Sequence, residues 1–344
     1  MKIRRLTVVL FASLIVCLYG VGNVTAIECS HPSLPEALDA LESSNGVTVE
    51  TVEVTSWGYG DPPSEDDNYY YAFEPAGKKP TTGFIILPGG NCDPRAYAPA
   101  AHAIAAKGYL TVIVPMPDCV AMPSGHRRSG KIIEDFDEIE NWVIGGHSVG
   151  GTAACIYAQK YGNIEGVVIW ASLSPGGLED TDIKVLTVYG SNDGRCGPED
   201  VLANAGALTA DTIFEEIEGG NHTQFGYFDP TPDPYFTDDN AATITLEKQQ
   251  AIIVQVTVDF LNMISGRTAC LATNLLGKDD SRLDTVRQFR DETLSEISMG
   301  NKVIEFYYRN SDRLIAVLDK NPTIKESAKK ALEALVPMIK LLLN

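Results

Sequence analysis

WVIGGHSVGGTAACIYAQKYG, residues 142–162, joins an apolar run to a small-residue helical pattern through Gly146-His147-Ser148-Val149-Gly150. A serine that acts as a nucleophile must hold its hydroxyl away from the backbone, toward a base and beside a backbone N–H able to receive an oxyanion. A sharp strand-to-helix turn achieves this but crowds the main chain, so glycines must flank the serine. The apolar residues before Gly146 supply the strand. Gly151-Thr152-Ala153-Ala154 starts a helix small enough to pack closely on a sheet, with its positive dipole end beneath Ser148.

Outward from this turn, strand patterns alternate with helical ones between about residues 47 and 264. The strand candidates are Val47–Val54, Tyr69–Phe73, Gly83–Leu87, Leu110–Val114, Trp142–Gly145, Gly166–Trp170, Val185–Tyr189 and Thr212–Ile217. The middle ones are unbroken apolar runs, as in strands buried on both faces. With helical patterns at Arg95–Lys107, Gly151–Tyr161 and Thr245–Ile264 between and after them, the expected fold is α/β. It is a doubly wound, mostly parallel sheet of eight strands. Ser265-Gly266-Arg267-Thr268 reads as a linker, and the pattern then changes to amphipathic helices. The chain is therefore divided into a segment 1–26, a catalytic domain 27–265 and a small all-α module 266–344.

A serine alone is inert at neutral pH, so the reading needs an acid and a histidine beyond later strands. Asp193 follows an apolar strand within Tyr189-Gly190-Ser191-Asn192-Asp193-Gly194, also a good turn sequence. Asp180 and Asp182 are rivals, but they precede that strand and fall at the wrong end of the sheet. His222 follows Ile217-Glu218-Gly219-Gly220-Asn221 and is the only histidine after Ser148. The roles expected are Ser148 as nucleophile, His222 as general base and then acid, and Asp193 as the group that orients the imidazole. One oxyanion donor is the N–H of Val149. The other comes from Leu87-Pro88-Gly89-Gly90-Asn91, where Gly90 or else Asn91 is the candidate.

These residues resemble the α/β-hydrolase superfamily, and within it a bacterial subgroup related to dienelactone hydrolases. The shared segments are Pro88–Tyr97, Gly145–Gly151, Tyr189–Gly194 and Gly219–Gly226, within an agreement spanning roughly residues 66 to 264. The resemblance implies a serine hydrolase. Dienelactone hydrolases use cysteine at the elbow, so esters are the safer expectation here. The tail is similar to the CFI-box C-terminal domain at Cys270-Leu271-Ala272-Thr273, Arg287-Gln288-Phe289-Arg290-Asp291 and Tyr307-Tyr308-Arg309-Asn310-Ser311, with a degraded opening box. It reads as an accessory or tethering module.

Bulk composition narrows the partners. The chain of 344 residues carries a formal net charge of −19, and the acidity is concentrated up to Ala269, where 15 Lys and Arg stand against 35 Asp and Glu. Such a surface repels phosphates, so neither nucleic acid nor an anionic membrane is an expected partner. The basic Met1-Lys2-Ile3-Arg4-Arg5, the apolar Leu6–Val21 and the small Val24-Thr25-Ala26 read as a secretory signal peptide, with an uncleaved anchor as the alternative. The expected location is secreted or periplasmic.

Six cysteines would remain after cleavage, with no CxxC, and no metal or cofactor is expected. Cys92 and Cys119 lie beyond neighbouring strand ends and are the expected disulfide, while Cys155 reads as a buried free thiol. The acidic loop Asp229–Asn240 lacks the spacing and glycine of a calcium loop. Asn221-His222-Thr223 is formally a glycosylation sequon. Only 45 residues separate Ser148 from Asp193, too few for a lid domain, which predicts an open site for short acyl groups unless the acidic loop Asp229–Asn240 folds over it. Three functions are carried forward: a secreted serine esterase acting on a small-molecule ester, an acyltransferase using the same residues, and a catalytically silent surface binding protein.

Overall fold

In a computed structural model, the residues described are 29, 31–58, 68–77, 79–122, 124–229, 238–265, 271–277, 280–294, 303, 307, 311, 314–315 and 317–343. Eight strands form one sheet in the order β1-β2-β4-β3-β5-β6-β7-β8. They are β1 Val47–Glu53, β2 Tyr69–Pro75, β3 Thr82–Leu87, β4 Leu110–Ile113, β5 Asn141–His147, β6 Gly166–Trp170, β7 Lys184–Gly190 and β8 Ile213–Ile217. β2 pairs antiparallel with β1 and with β4, and every other neighbour is parallel. The eight sequence runs fall on these eight strands.

Burial explains why the central runs carry no alternation. Phe84 to Leu87, Val143, Ile144 and Val167 to Trp170 are each no more than 1% exposed, covered on both faces. Each such side chain contributes roughly 1.5–3 kcal/mol of apolar burial. The edge strand β1 instead alternates between buried and exposed positions at its start.

The helices are α1 Pro35–Asp39, α2 Ala98–Ala105, α3 Arg128–Asp135, α4 Val149–Tyr161, α5 Pro198–Ala203 and α6 Leu246–Ile264. The run expected as one helix from Arg95 opens as a 3-10 turn, Pro94–Tyr97, because the Asp93 carboxylate accepts the Arg95 N–H at 2.9 Å and fixes a tighter start. Gly162, left-handed at φ 63°, ends α4. This sheet with its flanking helices is the α/β-hydrolase fold.

The chain divides into two compact units, residues 1–257 and 258–344, a division that falls within α6. In the second unit α7 Leu271–Leu276, α8 Arg282–Phe289 and α9 Pro322–Leu343 enclose a small cluster of Ala272, Leu276 and Leu283, with Val286 and Leu332 against it. Arg282 ties it together through Asp280 at 2.6 Å and Glu333 at 3.0 Å. Among the described residues no helix is long and apolar enough to cross a membrane. The expected signal segment lies outside the described residues.

The disulfide expectation is corrected. Cys119 bonds to Cys29, 90 residues away, and not to Cys92, whose thiol donates to the Gly90 carbonyl at 3.4 Å. The reason is a strap in which His31 pairs with the loop after β3 while residues 32–34 run along Tyr227, Phe228 and Asp229. The His31 N–H donates to the Asn91 carbonyl and the Asp93 N–H to the His31 carbonyl, both at 3.0 Å. This alignment carries Cys29 to Cys119.

Candidate active site

Ser148 follows β5 directly and sits at φ 53°, ψ −124°, a strained conformation for a side-chain-bearing residue. The turn closes because its flanking residues are glycines. A Cβ on Gly150 would lie 2.1 Å from the Leu87 carbonyl oxygen, and one on Gly146 would lie 2.4 Å from the same oxygen. The start of α4 therefore presses directly on the loop leaving β3. Ser172 from the next strand's exit donates its hydroxyl to the Ser148 carbonyl, and the Ser148 N–H donates to the Trp170 carbonyl at 3.0 Å. Ser148 itself is half-buried.

Asp193 and His222 leave the C-terminal ends of β7 and β8. The two loops are stitched together: Ser191 N–H donates to the Ile217 carbonyl at 3.0 Å, and Asn192 N–H to the Gly220 carbonyl at 2.8 Å. Asp193 Oδ1 accepts the N–H groups of Arg195 and Cys196 at 2.8 and 2.7 Å, which leaves Oδ2 to face the imidazole. His222 Nδ1 lies 2.9 Å from that Oδ2, with side chains 3% and 0% exposed. A carboxylate only accepts, so the shared proton belongs to Nδ1 and Nε2 is left as the basic nitrogen. Asp180 and Asp182 precede β7 and lie at the opposite end of the sheet from Asp193.

Of the oxyanion candidates, Val149 opens α4 and its N–H has no carbonyl within the helix. The Gly90 N–H takes no partner among the described residues, and the position of its missing Cβ is 3.5 Å from Val149 Cγ2. Asn91, left-handed at φ 61°, is different: its N–H is bound to the Cys119 carbonyl at 2.8 Å. The alternative of Asn91 as donor is thereby removed, because that amide is already committed to the loop after β4.

Three side chains around the site were not singled out by the sequence reading. Asp239, placed there only in a loop weighed for calcium, accepts from the backbone N–H groups of Gly194 at 3.0 Å, His222 at 3.3 Å and Thr223 at 2.8 Å. Its carboxylate is thus occupied in joining the acid loop to the histidine loop, and no metal-ligating cluster occurs among the described residues. Gln249 of α6 grips Asn221 at both ends, accepting its N–H at 3.0 Å and donating to its carbonyl at 2.8 Å. Tyr97 closes over the β3 loop by accepting the Gly89 N–H at 2.9 Å. The sequon residue Asn221 is itself buried, its side chain donating to Asn240 and accepting from Gln224, which leaves no room for a glycan. Cys155 is buried as expected, and burial pushes its thiol up to about 12.

The predicted CIB-like hydrolase of Thermoplasma acidophilum, known from a crystal structure, is 16% identical to this chain, over 63% of this chain and 98% of that one, at a TM-score of 0.44. No curated protein compared with the chain matches it. Residues 83–251, which hold β4 through β8, the elbow, Asp193 and His222, match the model of the alpha/beta hydrolase family.

Proposed function

We propose that this protein is a serine hydrolase that cleaves small carboxylic esters through an acyl-enzyme. Ser148 attacks the ester carbonyl while His222 Nε2 takes its proton. Val149 and Gly90 N–H groups hold the oxyanion. His222 returns the proton to the departing alcohol, and water repeats the sequence to release the acid. The observation that carries the reading is the buried 2.9 Å contact of His222 with Asp193, set beyond neighbouring strand ends on the same sheet edge as the strained Ser148 turn.

Between Ser148 and Asp193 lie only α4, β6, β7 and their turns, so short acyl chains are the proposed substrates. Export fits the Cys29–Cys119 disulfide, since such bonds persist in oxidising compartments. The CFI-box-like tail is proposed as an accessory module.

The test is hydrolysis of nitrophenyl acetate, butyrate and octanoate by the mature protein. The expected result is a kcat/KM that falls with acyl length and at least a thousandfold loss of kcat in Ser148→Ala. Turnover retained by Ser148→Ala would remove the proposal.

A further inference from the structure

His147, the residue before the elbow serine, takes no proton or substrate in the scheme above, yet it is the most enclosed imidazole at the site. It ends β5 and is 1% exposed. Its ring stacks on Phe225 with centroids 5.6 Å apart and planes 6° from parallel, and it meets the His222 ring at 4.6 Å. Phe225 belongs to the short turn Thr223–Phe225 that immediately follows His222. One imidazole thus touches both the candidate base and the turn that carries it.

The other side of the ring points to a different loop. His147 Nδ1 is 2.9 Å from Tyr97 Oη, and the same Oη accepts the Gly89 N–H at 2.9 Å. Gly89 precedes Gly90, the candidate oxyanion donor. A Cβ on Gly89 would lie 3.0 Å from His147 Nδ1 and 3.2 Å from Tyr97 Oη, so the two side chains wall the loop in. Nε2 of His147 is buried near the His222 backbone without a hydrogen bond of normal geometry. Burial, with the His222 charge behind it, holds the His147 imidazole well below its ordinary range, hence neutral. A neutral ring can lie against His222 when that residue carries the proton.

We propose that His147 is a positioning residue: through its ring contact with His222 and its hydrogen bond to Tyr97, it fixes the base and the oxyanion loop relative to each other. The proposal rests on the assignment of Ser148 and His222 above. An oxyanion donor and a base serve one reacting carbonyl, and displacement of either by a fraction of an ångström lowers the rate. The two come from loops after β3 and β8, which are not neighbours in the sheet. The Gly89–Tyr97–His147–His222 chain spans the gap.

The test compares kcat and KM on nitrophenyl acetate, with Tm, for the wild type, Tyr97→Phe, His147→Phe, the double variant and Ser148→Ala. Each phenylalanine keeps a ring but removes the Oη–Nδ1 bond. The expected result is a kcat lowered about tenfold in each single variant, with KM within about twofold, and a double variant no slower than about threefold below the worse single. A merely structural role would lower Tm and the active fraction without that coupling. Singles within about twofold of wild type, or losses that multiply in the double variant, overturn the proposal. Should His147→Phe not fold, Tyr97→Phe decides alone by the same thresholds. An inactive Ser148→Ala protein beside an unaffected Tyr97→Phe protein overturns this inference only, whereas an active Ser148→Ala protein overturns the assignment beneath it as well.

Discussion

Asp239 Oδ2 accepts both the backbone N–H and the hydroxyl of Thr223, at 2.8 and 2.7 Å, while its Oδ1 reaches Gly194 beside Asp193. A single carboxylate therefore holds the histidine loop to the acid loop. Asp239→Ala leaves at least three donors without their acceptor, each worth about 1 kcal/mol or more. The expected outcome is a loss of about 2–4 kcal/mol in urea unfolding and a kcat reduced by more than tenfold. Asp239→Asn keeps the shape but offers one oxygen in place of two, and is expected to fall between Asp239→Ala and wild type.

Cys29–Cys119 closes a long loop and braces the segment whose carbonyl holds Asn91. The double variant Cys29→Ala/Cys119→Ala is expected to lose about 2–5 kcal/mol of stability. Wild type in reducing buffer should show the same drop in Tm, and the variant should be indifferent to reductant. A reductant-sensitive variant would contradict the pairing.

His147 also sets a pH dependence of stability. Its folded pKa is lowered well below the ordinary imidazole value of about 6.5, mainly by burial, with the charges of His222, Arg195 and His31 adding to it. The unfolded chain therefore binds a proton as pH falls below about 6.5 while the folded chain does not. Stability is at its plateau above that pH and declines below it, by up to about 1.4 kcal/mol per pH unit for this one group. Urea unfolding between pH 7 and 5 should show this slope, reduced in His147→Phe. An identical slope in that variant would assign the effect elsewhere.

Gly150 tests the elbow itself. A methyl group there meets the Leu87 and Pro88 carbonyl oxygens at 2.1 and 2.5 Å, both main-chain atoms that cannot swing away. Gly150→Ala is expected to cost about 3 kcal/mol and to displace the β3 loop, with kcat falling more than stability alone explains. Gly162→Ala, whose added Cβ meets nothing within 4 Å, carries only the left-handed penalty of about 1–2 kcal/mol.

The strands were legible because burial on both faces writes itself as unbroken apolar runs, as in Gly83–Leu87 and Gly166–Trp170. The Ser148 turn was legible because its glycines are local to it. What stayed hidden depends on distant segments meeting. Cys29 reaches Cys119 only because His31 lies along the loop after β3, and Asn91 loses its N–H to a carbonyl 28 positions on. Tyr97 and His147 stand in the quoted motifs but are linked only once β3 and β5 are side by side. Asp239 and Gln249 act on backbone groups, which no spacing of side chains announces.

The most direct measurement treats the purified protein with a fluorophosphonate and maps the adduct by peptide mass spectrometry. Ser148 as the nucleophile predicts one equivalent per chain, on the peptide bearing Ser148, with labelling slowed at least a hundredfold in His222→Ala. An adduct on another residue, or equal labelling rates with and without His222, would contradict it.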